Sequence, residues 1–326
     1  MPGAIWAIAE MADGEPTRLS HELATLAAGL SAASGRPAAT VLVGEGAAAA
    51  AEALVAHGPD VLAVEADPRD RPLAAVIAER VATLVRAREP SFLLVGASND
   101  GRDVAGMLQA TLEWATLVNC AGVRWNGDGP QVEMSIFGGR LGTLSHFTPD
   151  HGIVVVRPSA VSAEPGPQPG QVETVEVAAP AVSLQAGRVV ERVAEASAAV
   201  AIEEAPVIVA GGRGVAGPEG FGVVEDLATA LGAAVGATRA VVDAGWIGYA
   251  HQIGQTGKSV KPRLYVAAGI SGAIQHKVGM QTSGTIVAVN RDADAPIAEF
   301  ADLMVVGDLF EILPRLTAAI RARRGQ

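Results

Sequence analysis

From residue 207 onward the chain carries five short apolar runs, 207–210, 233–237, 264–267, 286–289 and 303–306, each closed by glycine or a hydrogen-bonding side chain. The closing residues are Gly211-Gly212-Arg213-Gly214, Thr238-Arg239, Gly269-Ile270-Ser271-Gly272, Asn290 and Gly307-Asp308. Apolar runs bounded in this way read as buried strands. The succession of strand, polar turn and helix calls for right-handed crossovers and a parallel sheet. Ligands of such sheets sit beyond the carboxyl ends of the strands. The residues that close the runs are therefore the candidate site, and the pattern predicts a doubly wound domain built around one nucleotide-like ligand.

The first half repeats the theme less regularly. Apolar runs at 40–43, 61–64 and 92–95 alternate with alanine- and leucine-rich stretches. The composition predicts a helix from Ala47 to His57 and, after a polar loop at 97–103, another from Val104 to Glu113. Shorter strand-like pieces follow at 117–124, 131–137, 152–157 and 172–178, and the Pro/Gly-rich residues 163–170 read as a loop. A break around 193–205 divides the chain into an N-terminal domain, 1–200, and a C-terminal domain, 201–326. A length of 326 residues is ample for two self-sufficient cores.

Composition narrows the function. The net charge of −11 repels phosphate backbones and anionic lipid surfaces, which argues against nucleic acid as a partner. Alanine dominates the apolar content, and no run of the length needed to span a bilayer is free of charges and Gly/Pro breaks, so no membrane insertion is expected. A single cysteine, Cys120, and an N-terminus without a basic, apolar leader pattern point to the cytoplasm.

No familiar catalytic set emerges. The six histidines lack metal-ligand spacing, Cys120 lies in an apolar run, and neither a nucleophile elbow nor a Walker loop is present. Gly211-Gly212-Arg213-Gly214 precedes a helix expected over 219–231 and suits a pyrophosphate, or is a plain turn. The donor-rich segment His251 to Lys258 reads as a loop, with Gln255 and Thr256 set between glycines. Ser271 is either a ligand contact or a helix N-cap, and His276 either a ligand contact or a histidine satisfied at a helix start. The chain reads as a cofactor holder.

The second half resembles the alpha subunit of electron transfer flavoprotein. The matching residues are Gly211 to Gly214, Ala234 to Arg239, Val242 to Trp246, Gly254 to Lys258 and Leu264 to Met280. Ile286 to Asn290, Ala295 to Ile297, Ala301-Asp302 and Gly307 to Leu309 complete the run. Looser matches in the first half are Ile5 to Glu10, Phe92 to Asp103 and Phe137 to Arg140. The resemblance implies an α/β fold of two domains. An N-terminal Rossmann-like α/β domain would pack on a beta subunit, and a C-terminal doubly wound parallel-sheet domain would bind FAD.

It also implies residue roles. Arg213 corresponds to a loop arginine on the FAD, and Thr238 stands where many members have serine. Arg239 corresponds to an arginine over the isoalloxazine. Gln252, Ile253, Gly254, Gln255 and Thr256 match a loop whose threonine hydroxyl lies near flavin N5. Gly269, Ile270, Ser271, Gly272, Ala273, Ile274, Gln275 and His276 match a loop whose histidine faces the pyrimidine edge. Asn290, Asp308 and Leu309 match contacts to the adenosine half.

The implied function is an electron carrier without substrate chemistry of its own, one half of a heterodimer whose beta subunit holds AMP or a second FAD. Flavin dehydrogenases such as acyl-CoA dehydrogenases would donate, and a quinone oxidoreductase would accept. The alternatives are a bifurcating form that uses NADH, or a flavin or nicotinamide oxidoreductase with its own substrate.

Overall fold

The computed structural model describes residues 3–67, 72–136, 141–178, 187, 189–191, 202–203 and 205–324. It separates into two units, Met1–Arg192 and Val193–Gln326. The looser family match at Phe137 to Arg140 and most of the expected break at 193–205 lie outside the described residues.

The first unit is organised on β1 (Ile5–Ala9), whose five residues are all buried. Burial is complete because both faces are covered. Trp6 and Ile8 enter one apolar cluster and Ile5 and Ala7 the other, as the twofold period of a strand requires. After the small hairpin β2 (Met11–Ala12) and β3 (Glu15–Pro16), helix α1 (Arg18–Ser34) starts on Thr17, whose hydroxyl accepts from the Ser20 amide. Then come β4 (Ala38–Gly44), α2 (Ala47–Ala50), β5 (Asp60–Glu65), α3 (Leu73–Arg88), β6 (Phe92–Gly96), α4 (Asn99–Leu112) and β7 (Thr116–Asn126). β8 (Gly129–Ile136), β9 (Leu141–Ser145), β10 (Gly152–Val156) and β11 (Val172–Thr174) complete the unit. The nine strands run in the order β11-β5-β4-β1-β6-β10-β7-β8-β9, parallel from β11 to β7, with β8 and β9 joined antiparallel.

Two expectations are corrected here. The helix expected from Ala47 to His57 is α2 for one turn and then continues as two 3-10 turns. In a 3-10 helix side chains three apart eclipse, and Ala51, Leu54 and His57 are all buried on that spacing. The helix expected from Val104 begins at Asn99 instead, because the Ser98 hydroxyl accepts from the Gly101 amide at 2.8 Å and caps it.

The second unit contains β12 (Val207–Gly211), α5 (Phe221–Leu231), β13 (Ala234–Thr238), α6 (Arg239–Val242), β14 (Gln252–Ile253) and β15 (Leu264–Ala268). α7 (Ile274–Met280), β16 (Thr285–Asn290), β17 (Leu303–Val306) and α8 (Leu309–Arg324) follow. All five expected runs are strands, and the two residues of β14, read as loop, add a sixth by pairing with Ala237 and Thr238. The order β14-β13-β12-β15-β16-β17 is parallel throughout. It is that of a doubly wound sheet with its switch point between β12 and β15. Alternate residues feed two cores. Ile208, Ala210, Tyr265 and Ala267 pack with Met280 and Ile297 on one face, while Val209, Val266 and Ala268 meet Phe221, Leu227 and Leu313 on the other. Among the described residues no helix is long and apolar enough to cross a membrane.

Candidate functional site

The site is built where the chain leaves β12 and β15, the two strands flanking the switch point. Their closing loops lie against each other. The Gly212 amide donates to the Ala268 carbonyl at 3.0 Å, and the Gly214 amide to the Gly269 carbonyl at 2.9 Å. A Cβ at Gly212 would stand 2.5 Å from the Gly269 oxygen, and Gly269 itself adopts φ +62. Neither position accepts a side chain, which is how the two turns come together. Arg213 is exposed in the 3-10 turn that follows β12, and its guanidinium makes no hydrogen bond or ion pair among the described residues.

Thr238 closes β13, half-buried at the N-cap position of α6 but making no capping hydrogen bond. Arg239 follows it into solvent, where its Nε donates to Asp243 Oδ2 at 3.0 Å in an exposed i,i+4 pair. Gly254 is buried at the turn after β14, and the loop then carries the exposed Gln255 and Thr256. The Gln255 amide donates to the Gln275 carbonyl at 2.7 Å, tying this loop to the start of α7. Beyond β15, Ser271, Ala273, Ile274 and Gln275 are exposed. Ser271 is not an N-cap, because Ala273 occupies that position without a side-chain bond. Gly272 is buried beside Ile297, whose amide donates to the Ser271 carbonyl at 3.0 Å.

Gln252, Ile253, Ile270, His276 and Leu309 are buried, so their side chains support the loops rather than line their outer surface. His276 in particular has both ring nitrogens engaged. Nδ1 lies 3.0 Å from the Ile253 carbonyl oxygen, which can only accept, so Nδ1 carries the proton. Nε2 is then the acceptor for the Tyr265 hydroxyl at 2.9 Å. Burial pushes the imidazole pKa down to about 4, the bond to Ile253 opposing the shift, so the ring is neutral near pH 7. The resemblance implies a histidine that faces the pyrimidine edge; in this fold both ring nitrogens are engaged within the protein, by the Ile253 carbonyl and the Tyr265 hydroxyl.

At the far side of the switch point the Asn290 side-chain amide donates to the Ile270 carbonyl at 3.0 Å and its oxygen accepts from the Asp292 amide. Asp308 accepts from the Phe310 amide at 2.9 Å at the start of α8 and pairs with Arg291. The amide bond and then the guanidinium hold its carboxyl below the usual range. Cys120, in the first unit, is fully buried, and burial pushes its thiol up to about 11, as expected of core rather than of a nucleophile.

Tyr265 and Tyr249 were not singled out from the sequence. Tyr265 sits inside an apolar run, where a buried phenol must find a partner, and that requirement was its available signal. Tyr249 belongs to no periodic pattern, yet its hydroxyl donates to the Thr256 carbonyl at 2.9 Å.

An FAD fits this donor set. Exposed Arg213 and Arg239, the hydroxyls of Thr256 and Ser271, and glycine turns at a switch point offer what a pyrophosphate and a planar polar ring require.

Comparison with known proteins identifies the family. Residues 5–182 match the electron transfer flavoprotein domain and residues 201–281 the electron transfer flavoprotein FAD-binding domain. An electron transfer flavoprotein subunit alpha of Mycobacterium leprae (strain TN) is 42% identical over 325 residues, 98% of either chain. That of Mycobacterium tuberculosis (strain CDC 1551 / Oshkosh) is 44% identical over 320 residues, again 98% of either chain. That of Bacillus subtilis (strain 168) is 35% identical over 313 residues, 95% of either chain. Among solved structures, a putative thiamin diphosphate-dependent enzyme from Mycobacterium smegmatis aligns at 15% identity and TM-score 0.25 over 91% of this chain and 54% of that one, too loosely to carry an argument. The sequence matches, extending through both units, establish that the chain belongs to the electron transfer flavoprotein alpha-subunit family.

Proposed function

We propose that the chain is the FAD-holding half of an electron-carrying heterodimer, with residues 201–326 forming the flavin site and residues 1–200 packing on a beta subunit that holds AMP or a second FAD. Electrons would arrive from flavin dehydrogenases of the acyl-CoA dehydrogenase type and leave to a quinone oxidoreductase. The observation that carries this reading is the placement of Arg213, Arg239 and the Gln255-Thr256 and Ser271 to Gln275 loops at the carboxyl ends of β12, β13, β14 and β15. Bound FAD supplies one- and two-electron redox chemistry.

The protein's residues have separable parts in this scheme. Arg213, unpaired among the described residues, is available to the pyrophosphate. Arg239 would supply positive charge near the ring as it gains electrons, the kind of preorganised stabilisation that favours electron uptake. Thr238, Gln255, Thr256, Ser271 and Gln275 supply donors and acceptors around a planar polar ring. Asn290, Asp308 and Leu309 would hold the adenosine half.

Co-expression with a beta-type subunit tests the reading. The purified complex is expected to show flavin absorption at one FAD per chain and to take up electrons in two resolved one-electron steps on photoreduction. A complex without flavin, or one that turns over a small-molecule substrate unaided, overturns it.

A further inference from the structure

Two hydrogen bonds converge on Thr256. Tyr249 Oη donates to its carbonyl oxygen at 2.9 Å, and Gln252 Nε2 lies 3.2 Å from its hydroxyl oxygen. Gln252 is buried and Thr256 exposed, so the amide reaches the hydroxyl from the interior side. Backbone bonds close the same turn beneath them: the Lys258 amide donates to the Gln252 carbonyl at 2.8 Å, and the Gly257 amide to the Gly254 carbonyl at 3.1 Å. A carbonyl can only accept, so the phenol is the donor in its bond. A side-chain amide nitrogen can only donate, so the Thr256 oxygen is the acceptor in the other. A hydroxyl that accepts from Gln252 keeps its own proton free to donate elsewhere.

We propose that Tyr249 and Gln252 are positioning residues that aim the Thr256 hydroxyl outward as a hydrogen-bond donor to the bound ring system. Gln252 sets the direction of the proton, and Tyr249 fixes the peptide from which the side chain projects. The inference rests on the flavin reading above and deepens it. Both residues act through Thr256, Tyr249 on its carbonyl and Gln252 on its hydroxyl. Tyr249 is 55% exposed and Gln252 3% exposed. Fixing a rotor before the ligand arrives is worthwhile because a donor held in place gives up little freedom when the bond forms.

The test is a mutant cycle on the midpoint potential of FAD in the co-expressed complex, with bound FAD per chain measured on every variant. Thr256→Val, which removes the donor, sets the reference shift, and Thr256→Ser is expected to retain the wild-type value. Tyr249→Phe removes one exposed hydroxyl, and Gln252→Met removes the buried amide at similar volume. Each is expected to keep its FAD, to move the potential in the direction of Thr256→Val by at least half its size, and to add nothing in the Thr256→Val background. A wild-type potential in Tyr249→Phe overturns the inference even if Gln252→Met fails to fold. A shift that persists undiminished in the Thr256→Val background overturns it as well, since it would then act by another route. Absence of FAD from the wild-type complex would overturn the proposed function itself, and the inference with it.

Discussion

Tyr265 donates a hydrogen bond to Nε2 of His276 across 2.9 Å in the core of the second unit, and the opposite nitrogen of the same ring donates to the Ile253 carbonyl. The imidazole thus links the central strand β15 to the edge strand β14 through a neutral ring in a fixed tautomer. Its pKa is about 4 in the fold, against a usual value near 6.5. Between these values the unfolded chain binds more protons than the folded one. The contribution is therefore fully present above about pH 6.5, is lost as pH falls toward 4, and amounts to roughly 3 kcal/mol at most. Protection of the β15 amides against hydrogen exchange should decline from pH 7 to 5 in the wild type and decline less in His276→Gln. Equal slopes in the two proteins would exclude this role.

In the first unit Glu10 shows the opposite sign. It follows β1, and its carboxyl lies 2.7 and 2.8 Å from the Ser98 hydroxyl at the start of α4. Burial is the main cause that raises its pKa to about 7, with Asp100 adding to the rise and the Ser98 bond opposing it. A carboxyl raised in this way binds more protons folded than unfolded. Its contribution is present below about pH 4.5 and is lost as pH rises through 7, again roughly 3 kcal/mol at most. Glu10→Gln, which stays neutral, should protect the β1 and β6 amides better than wild type at pH 8 and about equally at pH 5. Weaker protection at pH 8 would show that the charged carboxylate is the form the fold prefers.

How far this architecture was legible depends on where burial is decided. The runs at 207–210, 233–237, 264–267 and 286–289 announce themselves because a strand covered on both faces is largely apolar, whereas 303–306 is equally apolar although Leu303 and Val306 are exposed on the edge strand β17. The two residues of β14, Gln252 and Ile253, carry no such run and pair only because β13 presents Ala237 and Thr238 beside them. Ala47 to His57 has helical composition, yet the spacing of Ala51, Leu54 and His57 is that of a tighter turn. Exposed candidates such as Arg213, Gln255 and Thr256 were readable from loop chemistry. The burial of Gln252 and His276 was not, since His276 is covered by Tyr265 and by the Ile253 carbonyl, contributed by other elements.

Gly269 offers a test of the contact between the two central loops. A Cβ there would lie 2.7 Å from Gly214 Cα and 2.9 Å from Leu309 Cδ2, on a backbone with φ +62. Gly269→Ala combines the left-handed penalty, about 1 kcal/mol, with a collision against backbone that has no rotamer to yield. The expected loss is about 2 kcal/mol or more, together with weaker FAD retention, measured as a lower denaturation midpoint for the second unit and less flavin per chain. An unchanged midpoint would mean that the loops separate without cost.

Arg239 separates cofactor chemistry from stability. Among the described residues its side-chain partner is Asp243, in a pair where both side chains are more than half exposed, and exposed pairs of this kind contribute little, about 0.3–0.5 kcal/mol. Arg239→Ala should therefore leave the denaturation midpoint of the second unit nearly unchanged. If the guanidinium lies close to bound FAD, its removal takes away positive charge that favours electron uptake, and the midpoint potential should fall. Asp243→Asn provides the converse: it removes the neighbouring negative charge, leaves the arginine in place, and should raise the potential by a smaller amount. Both shifts should shrink as salt is added, because the groups are exposed and screened. A potential unmoved by Arg239→Ala, in a complex that still binds FAD, would place this side chain away from the ring.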